Sequence, residues 1–337
     1  MLLLLSLFII SPTLASASEC VPRAFEGDSF VCVCNSEYCD LPGVIEHPAA
    51  GSHTLITTSR DEQRFSITTG SNDASLGEGS SVVVTLSHQE QFQAMMGFGG
   101  AFTDATGINI LKLSEEAQEL LMKSYFSPEG IEYNLCRVPM AGSDFSTRPY
   151  SYDDVEGDVD LLHFNLTMED YKYKDWMWNT CAWTAEGQRD WIKTTLGPIL
   201  EAAGMRYLKL MVLDHNRDAL PWYPATILED PQSNQFVDGV AIHWYDDDNT
   251  GPEVMTELHS LFEDKFLLYT ESCDGWDAAP DQRVILGDWY RAESYASNII
   301  EVRNFYFNSS YMSMFVIKCI EHFIYQTLFK DFYDVWQ

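Results

Sequence analysis

Basic residues are scarce in this 337-residue sequence. It contains 20 Lys and Arg against 51 Asp and Glu, which gives a formal net charge of −31 at pH 7. A surface with this balance repels the phosphates of nucleic acids and the head groups of anionic membranes, so we predict no nucleic-acid partner. Solvated surface carboxylates explain the acidic excess most simply. An acidic compartment is the alternative, because protonation of some carboxylates there would reduce their mutual repulsion.

Motifs of cofactor and metal enzymes are also absent from the sequence. It contains no nucleotide-binding loop, no HExxH zinc motif and no internal repeat. The acidic run at 153–160 lacks the spacing of an EF-hand loop. Lys318 and two further ionisable residues interrupt the apolar stretch at 313–330. We therefore predict no cofactor, no metal and no transmembrane segment.

The first 17 residues have the composition of a cleaved signal peptide. An apolar core of Leu and Ile is followed by a proline and by small residues of the A-x-A type before Ser18. The apolar run is too short to span a bilayer, which disfavours a signal anchor. We predict removal of residues 1–17 and entry into the secretory pathway. Two Asn-X-Ser/Thr sequons, at Asn165 and Asn308, are candidate glycosylation sites on that route.

Half of the eight cysteines lie close together behind this leader: Cys20, Cys32, Cys34 and Cys39. Disulfides persist in the secretory pathway, so this cluster predicts two structural disulfides, in any of three pairings. Zinc is the alternative, but neither a second cysteine knuckle nor a nearby His accompanies the cluster. The other cysteines are predicted to be buried thiols: Cys136, Cys181, Cys273 and Cys319.

Two patterns divide the chain after the leader. Residues 18–95 hold short β-branched runs, HTLITTS, RFSITTG and SSVVVTLS, separated by turn residues, which predicts a disulfide-bearing β region. From Gly97, apolar runs alternate with helical segments, as in βα units around a parallel sheet. One helix is predicted at 114–126 with Ser114 as its N-cap. Another is predicted at 183–204, kinked or split at Gly197-Pro198.

Five apolar runs of the second region end on polar or aromatic residues. In chain order they reach Asp104, then Arg137 and Asp144, then Asp214 to Asn216, then His243 to Tyr245, and finally Glu271. The C-terminal ends of parallel barrel strands gather at one face, where active sites are built. Each residue alone also has a structural explanation. Asp104 could cap a helix, His243 could be a hydrogen-bonded histidine in the core, and Trp244 could pack in the hydrophobic core. The coincidence of all five nevertheless predicts a site.

These runs resemble the motifs of the glucosylceramidases, the acid β-glucosidases of glycoside hydrolase family 30. The matching motifs are the pattern C-x11-C-x-C-x4-C, GFGGAFTDATGINIL, KSYFSPEGIEYNLCRVPMAGSDFS, LKLMVLDHNR, GVAIHWYDD and LLYTES. They occur in the family's order and cover most of residues 20–300. Several are long and distinctive, so chance similarity is remote.

The resemblance implies a (β/α)8 TIM barrel joined to a β-sandwich. It implies hydrolysis of the β-glucosidic bond of glucosylceramide, or of a related β-glucoside, with retention of configuration. Such chemistry uses two carboxylates about 5–5.5 Å apart, one as nucleophile and one as acid/base. It also implies lysosomal or extracellular localisation and a lysosomal lipid-presenting activator protein as partner.

The resemblance assigns roles to six residues of this chain. Glu271 corresponds to the nucleophile, and Asp104 corresponds to a residue that binds glucose hydroxyls. The remaining residues correspond to the lining around the nucleophile, where they would hold Glu271 in place: Arg137, His243, Trp244 and Tyr245.

The family's acid/base glutamate lies in an Asn-Glu-Pro motif, and this tripeptide occurs nowhere in the sequence. The family pattern breaks near Asp175-Trp176, where strands three and four should lie, and it is lost after about Ile300. We therefore expect an incomplete barrel of five strands over 96–300, with an N-terminal portion of the β-sandwich at 18–95 and a divergent tail at 301–337. Glu169 and Glu186 are weak candidates for a substitute acid, since neither ends an apolar run.

These departures predict a glucosylceramidase-type hydrolase with impaired or absent activity. The alternatives are a non-catalytic secreted protein that binds glycolipid or an active paralogue, and a fragmentary product from a splice form or gene model.

Overall fold

The computed structural model of the chain describes residues 20–60, 63–72, 87, 89, 94–143, 145–158, 162–174, 183–304, 313–318 and 327–329. The strands are β1 (Pro22–Ala24), β2 (Phe30–Cys34), β3 (Ser52–Thr57), β4 (Ser66–Ser71), β5 (Ala94–Ala101), β6 (Leu135–Arg137), β7 (Met211–Asn216), β8 (Gly239–His243), β9 (Phe266–Ser272), β10 (Ser313–Lys318) and β11 (Thr327–Phe329). The α-helices are α1 (Asp104–Ile110), α2 (Glu115–Phe126), α3 (Ala185–Trp191), α4 (Gly197–Ala202), α5 (Trp222–Leu228), α6 (Pro231–Asn234), α7 (Glu253–Leu261) and α8 (Trp289–Asn304). The predicted leader at 1–17 and the sequon at Asn308 lie outside these residues.

The N-terminal region forms two small sheets. Strands β1 and β2 pair antiparallel, and β11 lies parallel to β2 on its other side. Strands β3 and β4 form a separate antiparallel pair. The first two predicted β-branched runs correspond to β3 and β4, whereas residues 80–86 of the third run lie outside the described part of the chain.

Two disulfides hold this region, one joining Cys20 to Cys32 and the other joining Cys34 to Cys39. Their sulfurs are therefore unavailable as thiolate ligands for zinc. Cys34 and Cys39 are buried in a cluster with residues of α2, including Leu121. The disulfide region thus shares a hydrophobic core with the first long helix of the βα part.

The prediction of buried thiols elsewhere is wrong for two cysteines. Cys136 is a free cysteine, but it is exposed because it lies on the short strand β6 at an edge of the parallel sheet. Cys273 is buried, but it is disulfide-bonded. Cys181 and Cys319 lie outside the described residues.

A six-stranded parallel sheet forms the centre of the βα part, in the order β6-β5-β10-β9-β8-β7. The expectation of five strands is incomplete, because β10 from the predicted tail at 301–337 lies between β5 and β9. Its sequence, SMFVIK, combines β-branched and apolar residues, a composition typical of a strand in the middle of a parallel sheet. In the described sheet β6 and β7 are the edges, so it is a partial barrel that is open between these strands.

The two helices predicted from the sequence are present. Helix α2 begins after Ser114, whose side chain accepts a hydrogen bond from the backbone N–H of Ala117 at 3.3 Å. The second prediction corresponds to α3, a π-helical turn at Ile192–Leu196, and α4. Pro198 lies in the first turn of α4, directly after the π-helical turn, and the N–H of Gly197 bonds back to the carbonyl of Ile192. A proline inside a helical run cannot continue the ordinary hydrogen-bond ladder, so the helix widens at this point. The π-helical turn therefore replaces the predicted break.

The main hydrophobic core lies between the sheet and its helices. It contains Val240 and Ile242 of β8, Met255 of α7 and Ile227 of α5, all of which are fully buried. Four of the five residues of β8 are buried, which is typical of a strand covered on both faces. Within the described residues, no helix has both the length and the apolarity needed to cross a bilayer.

Candidate active site

Five side chains converge where four strands of the parallel sheet end: Arg137 at the end of β6, Asp214 in β7, His243 and Tyr245 at and just after the end of β8, and Glu271 in β9. The strands run parallel, so their C-terminal ends lie at the same edge of the sheet, and the curvature of the sheet brings the edge strands together. The structure therefore joins four of the six predicted site residues and adds Asp214.

The carboxylate of Glu271 is held from both sides. Nη1 of Arg137 lies 3.0 Å from its Oε2. The hydroxyl of Tyr245 donates a hydrogen bond of 2.8 Å to its Oε1. A guanidinium and a phenol thus orient the two oxygens, and the glutamate side chain remains 28% exposed, which leaves it accessible to a small substrate.

Asp214 ends one of the five apolar runs that predict a site, but the resemblance assigns it no role. Its Oδ1 accepts hydrogen bonds from Nε2 of His243 at 2.8 Å and from the hydroxyl of Thr270 at 2.7 Å. Its Oδ2 lies 3.6 Å from Nη2 of Arg137. Arg137 therefore bridges two carboxylates, one on an edge strand and one in the middle of the sheet.

The environment of Asp214 fixes its protonation state. Burial favours the neutral acid, but the hydrogen bond and charge of His243, together with the charge of Arg137, outweigh it and hold the pKa of Asp214 well below its usual value. Burial is the largest single effect on this pKa, but the side chain keeps 52% of its surface exposed, and the opposing hydrogen bonds and charges together exceed it. Asp214 is an ionised carboxylate and a poor proton donor.

Two irregularities in the strand pairing produce this arrangement. The pairing of β7 with β8 shifts at Asp214, which is an extra residue with a φ of +57°. The pairing of β8 with β9 shifts at Thr270 in the same way. A bulge re-aims the side chain of the extra residue, and here both bulges bring Thr270 and Asp214 into contact.

His243 lies between the two carboxylates. Its Nε2 donates to Asp214, and its Nδ1 lies 4.0 Å from Oε1 of Glu271, beyond hydrogen-bonding distance. Its ring packs edge-on against Tyr245, with centroids 6.0 Å apart. His243 therefore connects the pair formed by Arg137 and Asp214 to the pair formed by Tyr245 and Glu271.

Trp244 and Asp104 have other environments. The ring of Trp244 stacks on Tyr295 of α8, with centroids 5.0 Å apart, and packs against the main core. Asp104 is 1% exposed in the first turn of α1, and its carboxylate accepts hydrogen bonds from the hydroxyl of Tyr150 at 3.0 and 3.2 Å. Burial and this hydrogen bond raise the pKa of Tyr150. The substrate-binding role of Asp104 and the lining role of Trp244 stay predictions.

Neither candidate for a substitute acid has the properties of a proton donor. Glu169 is buried and receives two hydrogen bonds from Arg148, at 2.9 and 3.0 Å. Burial opposes ionisation, but the pair with Arg148 keeps the pKa of Glu169 below its usual value. Glu186 is exposed in the first turn of α3, away from the strand ends.

The model of the glycosyl hydrolase family 30 TIM-barrel domain matches residues 95–182 and 175–313. The chain belongs to glycoside hydrolase family 30. By family, the protein is a glycoside hydrolase. The two matched segments overlap at residues 175–182, which is where the sequence predicts an internal break. The match extends to residue 313, so the expectation that it ends after about Ile300 is wrong.

Curated relatives agree with this family. The chain is 33% identical to "Putative glucosylceramidase 4" of Caenorhabditis elegans over 357 residues, covering 80% of this chain and 68% of the relative. It is 32% identical to the lysosomal acid glucosylceramidase of Mus musculus over 374 residues, covering 84% of this chain and 71% of that protein. The alignment with the Caenorhabditis elegans protein has 357 positions but contains only 80% of the 337 residues of this chain. The remaining positions are gaps in this chain, so that protein has residues inside the aligned region that this chain lacks.

Solved structures share the fold. SrfJ from Salmonella typhimurium is similar with a TM-score of 0.58 and 17% identity, over 78% of this chain and 74% of that one. An endo-β1,6-glucanase is similar with a TM-score of 0.54 and 21% identity, over 68% of each chain.

Proposed function

We propose that the protein is a glucosylceramidase-type retaining β-glucosidase whose nucleophile is Glu271 and whose substrate is glucosylceramide or a related β-glucoside. The observation that carries this proposal is the carboxylate of Glu271 held between Arg137 and Tyr245 at the end of a barrel strand. A nucleophilic carboxylate must be oriented and accessible, and this one is both. The names of the curated relatives support the substrate class.

In the proposed reaction, an oxygen of Glu271 attacks the anomeric carbon of glucose. A bond forms between that oxygen and the carbon as the bond from the carbon to the aglycone oxygen breaks, and a covalent glycosyl-enzyme results. Arg137 and Tyr245 aim the carboxylate during the attack. The departing aglycone oxygen requires a proton from a second group, and water must later be activated to release glucose.

We propose that the chain lacks this second group. The Asn-Glu-Pro motif is absent from the sequence. Asp214 is kept ionised, and Glu169 is engaged by Arg148. General acid–base catalysis contributes about 10²–10⁴-fold to each step. We therefore propose that the chain hydrolyses its natural glycolipid negligibly, and that it forms the glycosyl-enzyme only with substrates whose leaving group needs no proton.

The test compares an activated and a natural substrate. At acidic pH, the purified protein is given 2,4-dinitrophenyl β-glucoside, which needs little protonation of its leaving group, and glucosylceramide in parallel. We expect a burst of at most one dinitrophenolate per protein, no turnover of the lipid, and no burst from Glu271→Gln. A cyclophellitol-type reagent should label Glu271, as determined by peptide mass spectrometry.

Each alternative gives a distinct result. Labelling of Asp214 would overturn the choice of nucleophile. Lipid turnover that disappears in Glu271→Gln would show that another residue supplies the proton. Binding of an alkyl β-glucoside without burst or labelling would favour the non-catalytic glycolipid-binding paralogue.

We also propose that the protein follows the secretory pathway to a lysosomal or extracellular destination after loss of residues 1–17. The disulfides from Cys20 to Cys32 and from Cys34 to Cys39 support an oxidising compartment. Asn165 is exposed, as a glycan acceptor must be. A shift in mass on treatment with an N-glycosidase, absent in Asn165→Gln, would test this route at that position.

A further inference from the structure

A fully buried arginine links three elements behind the candidate active site. Arg217, which directly follows β7, has no exposed side-chain surface. Its Nε lies 2.8 Å from Oδ1 of Asp247, in the connection after β8. Its Nη2 lies 3.1 Å from Oε1 of Glu301 in α8. The same Nη2 donates to the backbone carbonyl of Asp247 at 2.8 Å.

Neutral groups complete the surroundings of Asp247. Asn298 of α8 donates a hydrogen bond of 2.7 Å to its Oδ2, and the hydroxyl of Tyr269 in β9 lies 3.3 and 3.4 Å from its two oxygens. Asp247 therefore contacts a residue of β9, a residue of α8 and the arginine that directly follows β7. It lies only two residues after Tyr245, which donates to Glu271. The contacts of Asp247 thus anchor the connection that carries Tyr245 on the C-terminal side of that residue.

The charges of this group do not balance when both acids are ionised. One guanidinium, which is fully buried, faces the carboxylates of Asp247 and Glu301, which leaves one excess negative charge beside it. Nη1 of Arg217 is buried and has no hydrogen-bond partner among the described residues. Burial raises the pKa of Asp247 to about 7, and Glu301 adds to the effect, while Arg217, Asn298 and Tyr269 oppose it. One bound proton makes the group neutral.

We propose that Arg217, Asp247 and Glu301 form a proton-dependent clamp that positions Tyr245 against Glu271 and holds α8 to the sheet most firmly when one proton is bound. Asp247 is a positioning residue in this proposal, because it acts through Tyr245. The clamp makes the site best ordered at acidic pH, and it operates whether or not the protein turns over a substrate.

The clamp has a defined effect on stability. The pKa of Asp247 is about 7 in the folded protein against an ordinary value of 3.8, so the folded state binds more protons than the unfolded state between these values. Its stabilising contribution is fully present below pH 3.8 and is lost as the pH rises through about 7. Within this window, acidification stabilises the fold.

The first test measures thermal unfolding of the purified protein as the pH is lowered from above 7 to below 5. We expect the midpoint of the wild type to rise by about 3 °C or more, whereas Asp247→Asn, which is neutral at every pH, loses most of this rise. Because the net charge is −31, removing any carboxylate reduces the repulsion between negative charges. Asp246→Asn is therefore the matched control, since it removes one negative charge from the neighbouring position. Hydrogen bonds from Thr250 and Asn249 lower the pKa of Asp246, so this variant should keep the wild-type rise. A rise that persists in Asp247→Asn, or disappears in both variants, overturns the clamp.

The second test measures how well ordered the connection that carries Tyr245 is. Hydrogen exchange of residues 244–250, corrected for intrinsic rates, should be slower at the acidic end of the same pH range in the wild type, and equal at both ends in Asp247→Asn. If exchange in the wild type does not depend on pH, Arg217, Asp247 and Glu301 form only a structural contact, and the proposal is wrong.

A third variant keeps the proposal testable if Asp247→Asn does not fold. Glu301→Gln removes the repulsion from the second carboxylate, and because the side chain of Glu301 is 41% exposed, the change should be tolerated. The pH window of the stability change should then move to lower pH. An unchanged window contradicts the proposal.

Discussion

Arg137 and Asp214 stand on the two edge strands of the parallel sheet, and their side chains meet, with Nη2 of the arginine 3.6 Å from Oδ2 of the aspartate. The same guanidinium reaches Glu271 at 3.0 Å. The open side of the partial barrel is thus narrowed at the end where the site lies. One arginine therefore connects the architecture of the sheet to the orientation of the proposed nucleophile.

Replacing Arg137 by lysine should slow labelling of Glu271 by a cyclophellitol-type reagent by about tenfold to a hundredfold, the usual range for loss of one hydrogen bond to a charged group. A single ammonium cannot reproduce the fork that contacts Glu271 and Asp214 together. Arg148→Lys, at the pair with Glu169, is the control and should label at the wild-type rate. If Glu271 is labelled at the same rate in the wild type, Arg137→Lys and Arg148→Lys, Arg137 does not orient the nucleophile.

Replacing Tyr245 by phenylalanine should slow the same labelling by about tenfold. The change removes the hydroxyl that donates to Glu271 but keeps the ring, which packs against His243 and Trp276. Unfolding midpoints of variant and wild type should therefore agree. If Tyr245→Phe is much less stable than the wild type but is labelled at the same rate, the hydroxyl of Tyr245 stabilises the fold and does not orient Glu271.

Asp214→Asn should make the protein less sensitive to acid. The pKa of Asp214 is depressed in the folded state, so its stabilising contribution is present above its ordinary pKa of 3.8 and is lost as the pH falls through the lower folded value. In denaturant titrations the variant should be less stable than the wild type near neutrality, and the difference should shrink below pH 3.8. Asp218→Asn, at a side chain that is 54% exposed, serves as the control. A difference that stays constant with pH would refute the depressed pKa.

Removing either N-terminal disulfide should destabilise the fold by about 2–3 kcal/mol, because both close short loops in the unfolded chain. The sequence separations are 12 for the bridge from Cys20 to Cys32 and 5 for the bridge from Cys34 to Cys39. Loss of the second bridge should also loosen α2, since Cys34 and Leu121 share a core cluster. Thermal unfolding of the paired Cys→Ser variants measures this. Peptide mapping that finds free thiols at Cys20 or Cys39 in the wild type would contradict the pairing.

Local signals in the sequence predicted much of the fold. Ser114 followed by two acidic residues marks the start of α2, and the apolar run before Glu271 marks β9, because caps and buried parallel strands leave patterns within a few residues. The N-terminal β-branched runs likewise predicted β3 and β4.

Features that depend on tertiary pairing were not predictable. The sequence places Asp214 at the end of an apolar run, but its contacts with His243 and Thr270 depend on a bulge, and a one-residue irregularity in strand pairing leaves no mark in the hydrophobic pattern. Strand β10 was hidden in a segment without family motifs, and its place between β5 and β9 is set by pairing partners distant in sequence. The environment of Asp104 depends on Tyr150, a contact across 46 residues.

The place of β10 also imposes an order on biosynthesis. β5 is translated long before β10, and until residues 313–318 leave the ribosome neither β5 nor β9 has the neighbour that separates them in the finished sheet. During that interval both strands offer unpaired backbone to other nascent chains, a condition that invites aggregation. We therefore expect the central sheet to be completed only after residues 313–318 have been synthesised.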